Sequence, residues 1–173
     1  MLPRRSFILG GAASGKSLYA ESLLLSSALK LNYLATGQVE DAEIKLKVKI
    51  HQDRRDARWT TFEEPLDLGE CLRAMDPATP VLIDCATMWL SNHMMAGSDL
   101  VIATEKLLDD IDRCPAPSVI VSNEVGHGIV PDNRLARQFR EAQGKLNIAL
   151  AAQADLAVMV VAGLPQVLKG ELP

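Results

Sequence analysis

The sequence predicts an α/β chain: a doubly wound, mostly parallel sheet with helices on both faces. Three observations carry that reading. Short runs rich in Val, Ile and Leu recur at 6–9, 32–35, 81–85, 119–123 and 156–161. They are apolar at consecutive positions, as strands covered on both faces are, whereas half-exposed strands alternate. The stretches between them are long enough for crossover helices. A glycine-rich segment follows the first run, and sheets of this kind bind ligands outside the carboxyl ends of their strands.

The first run, Phe7-Ile8-Leu9, leads into Gly10-Gly11-Ala12-Ala13-Ser14-Gly15-Lys16-Ser17, and a helix-like stretch spans 18–29. This is a complete G-x4-G-K-[ST] loop in its strand–loop–helix context. Its glycines let main-chain N–H groups fold around an anion, and the helix N-terminus adds its positive dipole end. Lys16 would reach the β/γ-phosphates and the Ser17 hydroxyl would hold Mg²⁺. Positions 10–17 are therefore nucleotide-binding candidates for a nucleoside triphosphate such as ATP or GTP, and the fold expected is P-loop NTPase-like.

After the strand at 32–35 comes Ile44-Lys45-Leu46-Lys47-Val48-Lys49-Ile50. Its period of two favours a half-buried strand. Glu40, Asp41 and Glu43 before it, with lysines following, are instead the charge order of a helix. The next strand, Val81-Leu82-Ile83-Asp84, ends in a carboxylate, as the metal-binding strand of a P-loop protein does. Asp84 is thus a candidate Mg²⁺ residue, with a helix cap for the segment from Ala86 as the plainer alternative. Beyond 119–122 stands Asn123-Glu124-Val125-Gly126-His127-Gly128-Ile129-Val130-Pro131. Asn123 and Glu124 would lie at the carboxyl edge near the phosphates; a simple strand-end turn is the alternative. The clearest helix covers 133–154, with Leu135, Phe139, Ala142, Leu146 and Leu150 on one face. Arg134, Arg137, Arg140, Glu141 and Lys145 lie opposite. The last apolar run, 156–164, reads as a buried strand and is half the length needed to span a bilayer.

Composition bounds the function. A chain of 173 residues, 48% hydrophobic and 23% charged, builds one domain spanning 1–173. Four per cent aromatic residues and a net charge of -4 argue against a nucleic-acid surface. Cys71, Cys85 and Cys114 are odd in number and lack metal spacing, so reduced thiols of a cytoplasmic protein are expected. Arg4 and Arg5 precede too short an apolar stretch for an export signal.

Of the three histidines, His51 has the most suggestive surroundings: Asp53, Arg54, Arg55 and Arg58, then Trp59 and Glu63-Glu64. The arginines suit an anionic substrate, and a neutral imidazole is a competent nucleophile toward phosphorus. A solvated helix end would have the same composition.

Several motifs together carry a family resemblance. They are Gly10-Gly11-x-x-Ser14-Gly15-Lys16-Ser17, Tyr33-Leu34-Ala35-Thr36, and His51-x-x-x-Arg55 leading to Trp59-x-Thr61-x-Glu63. Further along stand Asn123-Glu124-Val125-Gly126-x-Gly128-Ile129-Val130-Pro131, Asn133-Arg134-Leu135-Ala136-Arg137, and Gly163-Leu164-Pro165 with Leu168-Lys169. Nearly end to end, the chain resembles the bifunctional adenosylcobinamide kinase / adenosylcobinamide-phosphate guanylyltransferases of cobalamin biosynthesis. The resemblance implies two reactions. A nucleoside triphosphate phosphorylates the hydroxyl of the aminopropanol arm of adenosylcobinamide. GTP then gives GMP to that phosphate through a guanylyl-histidine, yielding adenosylcobinamide-GDP.

By position, His51 matches the nucleophile, and Lys16 with Mg²⁺ would stabilise the transferring groups. Glu63 matches a guanine-nucleotide contact. Leu34, Ala35, Thr36, Gln52, Asp53, Arg54 and Arg55 match further nucleotide-contact segments. The resemblance also implies a helix over 44–50 and a homotrimer. Three departures stand out: Asp56 where Pro is usual, Ala13 where Arg is frequent, and Asp84 where Glu is common. The alternatives are a monofunctional P-loop kinase of a small metabolite without a covalent intermediate, a GTP switch, and a non-catalytic nucleotide module. No Asn-Lys-x-Asp guanine motif supports the switch.

Overall fold

The computed structural model describes residues 1–37 and 56–173. The segment 44–50, His51, Gln52, Asp53, Arg54 and Arg55 lie outside the described residues. Within them the chain forms β1 (Arg5–Gly10), α1 (Lys16–Leu25), β2 (Leu31–Ala35), β3 (Trp59–Glu63), α2 (Gly69–Arg73) and β4 (Val81–Asp84). There follow α3 (Ala86–Met95), α4 (Leu100–Arg113), β5 (Ser118–Asn123), α5 (Arg134–Gln153), β6 (Leu156–Val161) and β7 (Leu164–Lys169). The seven strands make one sheet in the order β3-β2-β4-β5-β1-β6-β7. Every pairing is parallel except β6–β7.

Consecutive apolar residues in the strands serve opposite faces. Phe7, Val81, Ile83, Ile120 and Ala157 pack with Leu72, Trp89, Leu107 and Leu146 of α2 to α5. Ile8, Leu82, Val119, Val121 and Val158 pack with Ala20, Leu23 and Leu24 of α1. Two-sided burial is thus what made these strands read as unbroken apolar runs. Among the described residues no helix is long and apolar enough to cross a membrane.

Two strands escape the sequence reading. β3 is an edge strand whose residues are exposed apart from a half-buried Trp59, so it shows no core periodicity. The run 156–164, read as one strand, breaks at a turn where Ala162 and Gly163 take φ of 51° and 78°. The chain then returns as antiparallel β7, which carries Pro165 and is exposed throughout, as an edge strand allows. Arg5, read beside Arg4 as a weak export-like charge, is buried. Its guanidinium donates to the carbonyls of Asp112, Cys114 and Ala116 at 2.9, 2.7 and 3.1 Å, pinning the turn before β5.

The long helix begins and ends almost where its pattern places it. Asn133 caps it, the side chain accepting from the Ala136 N–H at 2.7 Å. Leu135, expected on the core face, is 54% exposed, so the apolar stripe starts one turn later. Substituting Asn133 with Ala removes the cap, and about 1 kcal/mol of stability should go with it. That corresponds to a midpoint lower by about 2–4 °C in thermal unfolding.

Candidate nucleotide site

Register brings the candidate residues to one edge. Gly10 pairs with Asn123, Asp84 with Val121, and Ala35 with both Asp84 and Glu63. The tips of β3, β2, β4, β5 and β1 therefore present Glu63, Ala35, Asp84, Asn123 and Gly10 side by side. The first turn of α1 carries Lys16 and Ser17.

The phosphate loop is held from both sides. The Glu124 N–H donates to Gly10 O at 3.0 Å, and the Gly163 N–H, from the β6–β7 turn, donates to Ser14 O at 2.8 Å. Gly10 admits no side chain: a Cβ there would lie 2.4 Å from Ser14 Oγ and 2.7 Å from Val160 O. Gly15 enters the helix at φ 91°, a conformation that L side chains rarely adopt. Ala13 takes φ 56°, so the exposed tip of the loop is turned without a glycine. No side chain caps α1 among the described residues, which leaves its first N–H groups to a ligand. The buried Ser14 Oγ also lacks a partner there.

Lys16 Nζ donates to Gly11 O at 3.1 Å, folded back over the loop that a phosphate would fill. Burial draws its ammonium below the ordinary lysine range, and the nearby Cys85 and Asp84 oppose that shift. Asp84 is half-buried at the β4 tip and accepts from the Tyr33 hydroxyl at 2.9 Å. The N-cap residue of the helix beginning at Ala86 is Cys85, one position after Asp84. Thr36 is fully buried, and its hydroxyl ties the β2 and β4 tips together. It accepts from the Cys85 N–H at 2.8 Å and donates to Cys85 O at 2.7 Å. Leu34 lies in the core beneath.

Sequence reasoning missed the polar layer under this edge. The Thr87 hydroxyl accepts from the Asn123 N–H at 2.8 Å, and Asn147 Nδ2 donates to Asn123 O at 3.1 Å. Ser122 Oγ donates to Asn147 Oδ1 at 2.7 Å, and Gln143 Nε2 reaches both, at 3.0 and 2.9 Å. The signal was present: Gln143 and Asn147 are polar residues four apart, flanking an apolar stripe.

The three cysteines are free thiols. Burial, reinforced by Asp84, pushes the Cys85 thiol up to about 11. An unfolded thiol ionises near 9.0 while the folded one holds its proton, so Cys85 costs the fold nothing below that pH. Stability is lost as pH rises from there through the folded value, by about 3 kcal/mol at most. The alkaline drop in urea midpoint should be smaller in Cys85→Ala, referenced to each protein's own value at pH 7.

A family model described as cobinamide kinase / cobinamide phosphate guanyltransferase matches residues 6–168. The chain belongs to this family. It is 40% identical over 170 residues to the bifunctional adenosylcobalamin biosynthesis protein CobP of Pseudomonas aeruginosa, covering 96% of this chain and 98% of that one. It is 39% identical over 173 residues to the protein CobU of Salmonella typhimurium, covering 91% and 95%.

A family member of this kind is a bifunctional transferase, kinase and guanylyltransferase, of cobalamin biosynthesis. Distant structures share the fold alone. A type III secretion system ATPase of pathogenic bacteria superposes with TM-score 0.57 at 12% identity, over 96% of this chain and 57% of that one. A protein of Pyrococcus horikoshii OT3 gives 0.59 at 8%, over 98% and 88%.

Proposed function

We propose that the two family reactions share the nucleotide site at this sheet edge, with adenosylcobinamide and its phosphate as successive acceptors. The observation that carries the reading is the alignment of the phosphate loop, Asp84 and Glu63 on strand tips of one edge. From β1 to β3 is four strand spacings, roughly 19 Å. A nucleotide with its phosphates at Gly10–Ser17 lies along that edge with its base toward Glu63, Ala35 and Thr36. Gln52, Asp53, Arg54 and Arg55 add contacts from the segment after β2, and His51 of that segment takes GMP from GTP.

Mg²⁺ fits the residues present. Among the described residues there is no cluster of three or more His, Cys, Asp or Glu. Magnesium needs none, because it keeps waters and binds through one or two carboxylates plus substrate phosphates. Ser17 and Asp84 supply hard oxygen donors, and Tyr33 orients the Asp84 carboxylate. Bound there, the ion neutralises phosphate charge. Lys16 leaves Gly11 O for the β/γ-phosphates and stabilises the charge on the transferring group. The uncapped α1 N-terminus holds the phosphate oxygens. His51 attacks the α-phosphorus of GTP, the bond to the α,β-bridging oxygen breaks and pyrophosphate leaves. The resulting phosphoramidate is a high-energy link from which GMP moves to the acceptor phosphate. We place the enzyme in the cytoplasm as a homotrimer, on the family resemblance and the free cysteines.

The test is covalent labelling. The protein is mixed with Mg²⁺ and GTP labelled at the α-phosphate, then denatured. Label retained in base and lost in acid is expected of a phosphoramidate. Nucleotide-binding protein that retains none would reduce the enzyme to its kinase half.

A further inference from the structure

We propose that Glu124 is the carboxylate that accepts the proton of the acceptor's hydroxyl in the kinase half-reaction, and that it takes no part in guanylyl transfer. The inference rests on the two-reaction reading above and assigns a role within it.

The two half-reactions place different demands on the site. In the first, an alcohol oxygen bonds to the γ-phosphorus, and the bond from that phosphorus to the β,γ-bridging oxygen breaks. The nucleoside diphosphate leaves with the electron pair, and the hydroxyl proton must go to a base. In the second, the attacking oxygen belongs to a phosphate that is already ionised. It displaces the histidine nitrogen from the α-phosphorus, and no proton has to be removed. One site therefore needs a base for only one of its reactions.

Four carboxylates stand at or just past the described strand tips, and Glu64, which follows Glu63 at the outer edge, accepts from the Leu66 N–H at 3.4 Å. Glu63 is on the outer edge strand, four spacings from the phosphate loop. Asp84 accepts from Tyr33 and sits where the metal is expected. Glu124 alone is bonded to the loop itself, its N–H donating to Gly10 O at 3.0 Å. Its Oε1 accepts from the Gly126 N–H, which fixes the carboxylate in a tight turn. Among the described residues no cation pairs with it. The nearby Arg140 donates instead to Gly126 O and so secures the turn from behind.

The footing is rigid. Both backbone groups of Asn123 are held by side chains of the buried layer, Thr87 and Asn147, rather than by solvent. A backbone held at both groups gives the next residue, Glu124, a fixed footing, as a positioned base needs. Beside the turn runs an open groove of about 450 Å³, lined by Gly126, Val130, Arg137, Arg140 and Ile148 among others. The groove reaches Gly126, whose N–H donates to the Glu124 carboxylate, and the proposal places the acceptor's arm in it.

Glu124→Gln keeps the side chain's size and can still meet the Gly126 N–H through its amide oxygen. Three assays are run on it: γ-phosphoryl transfer to adenosylcobinamide, labelling by α-labelled GTP, and GMP transfer to supplied adenosylcobinamide phosphate. The kinase kcat should fall about 10²–10⁴-fold with the KM for nucleotide little changed. Labelling and GMP transfer should be unchanged. Glu124→Asp should recover part of the rate. Equal loss in all three assays, or an undiminished kinase, would overturn the proposal. Wild-type protein without covalent label would overturn the guanylyl-histidine instead, and the kinase assay would still decide Glu124.

Discussion

Replacing Lys16 with Met should lower both half-reactions together, by about 10²–10³ in kcat. The lysine is placed by the first turn of α1, and its ammonium already rests on the loop at Gly11 O, 3.1 Å away. It has no carboxylate partner among the described salt bridges. Its charge is therefore free for the phosphates, and partial burial makes each interaction there stronger than in water. Met retains the unbranched stem, so the fold should survive, with an unchanged urea midpoint as the control. Nucleotide affinity and both rates are read in parallel. A variant that lost only one half-reaction would show that the two do not share a phosphate site.

His51→Ala should separate the reactions. Guanylyl transfer should fall by about 10⁴–10⁶, because a missing nucleophile has no partial substitute. Phosphoryl transfer to adenosylcobinamide should continue. The structure narrows the competition for the nucleophile's role. His93 packs against Trp89, the two rings tilted by 57° with centroids 4.5 Å apart. Its two ring nitrogens are engaged with Ser98 Oγ at 3.0 Å and Leu66 O at 3.2 Å. His127 is exposed on the loop after Glu124, so His127→Ala is the matched control. Label that survives in His51→Ala and disappears in His127→Ala would reassign the nucleophile.

What could be read early was local. The phosphate loop is eight consecutive residues whose backbone demands are met by the neighbours in sequence, and its strand and helix flank it directly. Its glycines at 10 and 15 turn out to be required by close contacts with Ser14, Val160 and Gly163. Asp84 was legible because an apolar strand ending in a carboxylate is itself a local pattern. β3 and β7 were not legible, because edge strands exposed to solvent carry no burial period, and Pro165 argues against a strand wherever pairing partners are unknown.

The sequence by itself determined the alternation of strands and helices, the phosphate-binding loop and the family to which the chain belongs, because each rests on residues adjacent in the chain. Tertiary structure alone decided which distant groups meet. It put Tyr33 on Asp84, Glu124 and Gly163 on the two sides of the phosphate loop, and Gln143 and Asn147 beneath Asn123. Strand order and register set those meetings. Both are fixed by which faces can be buried together, a property of the whole sheet that no single segment carries.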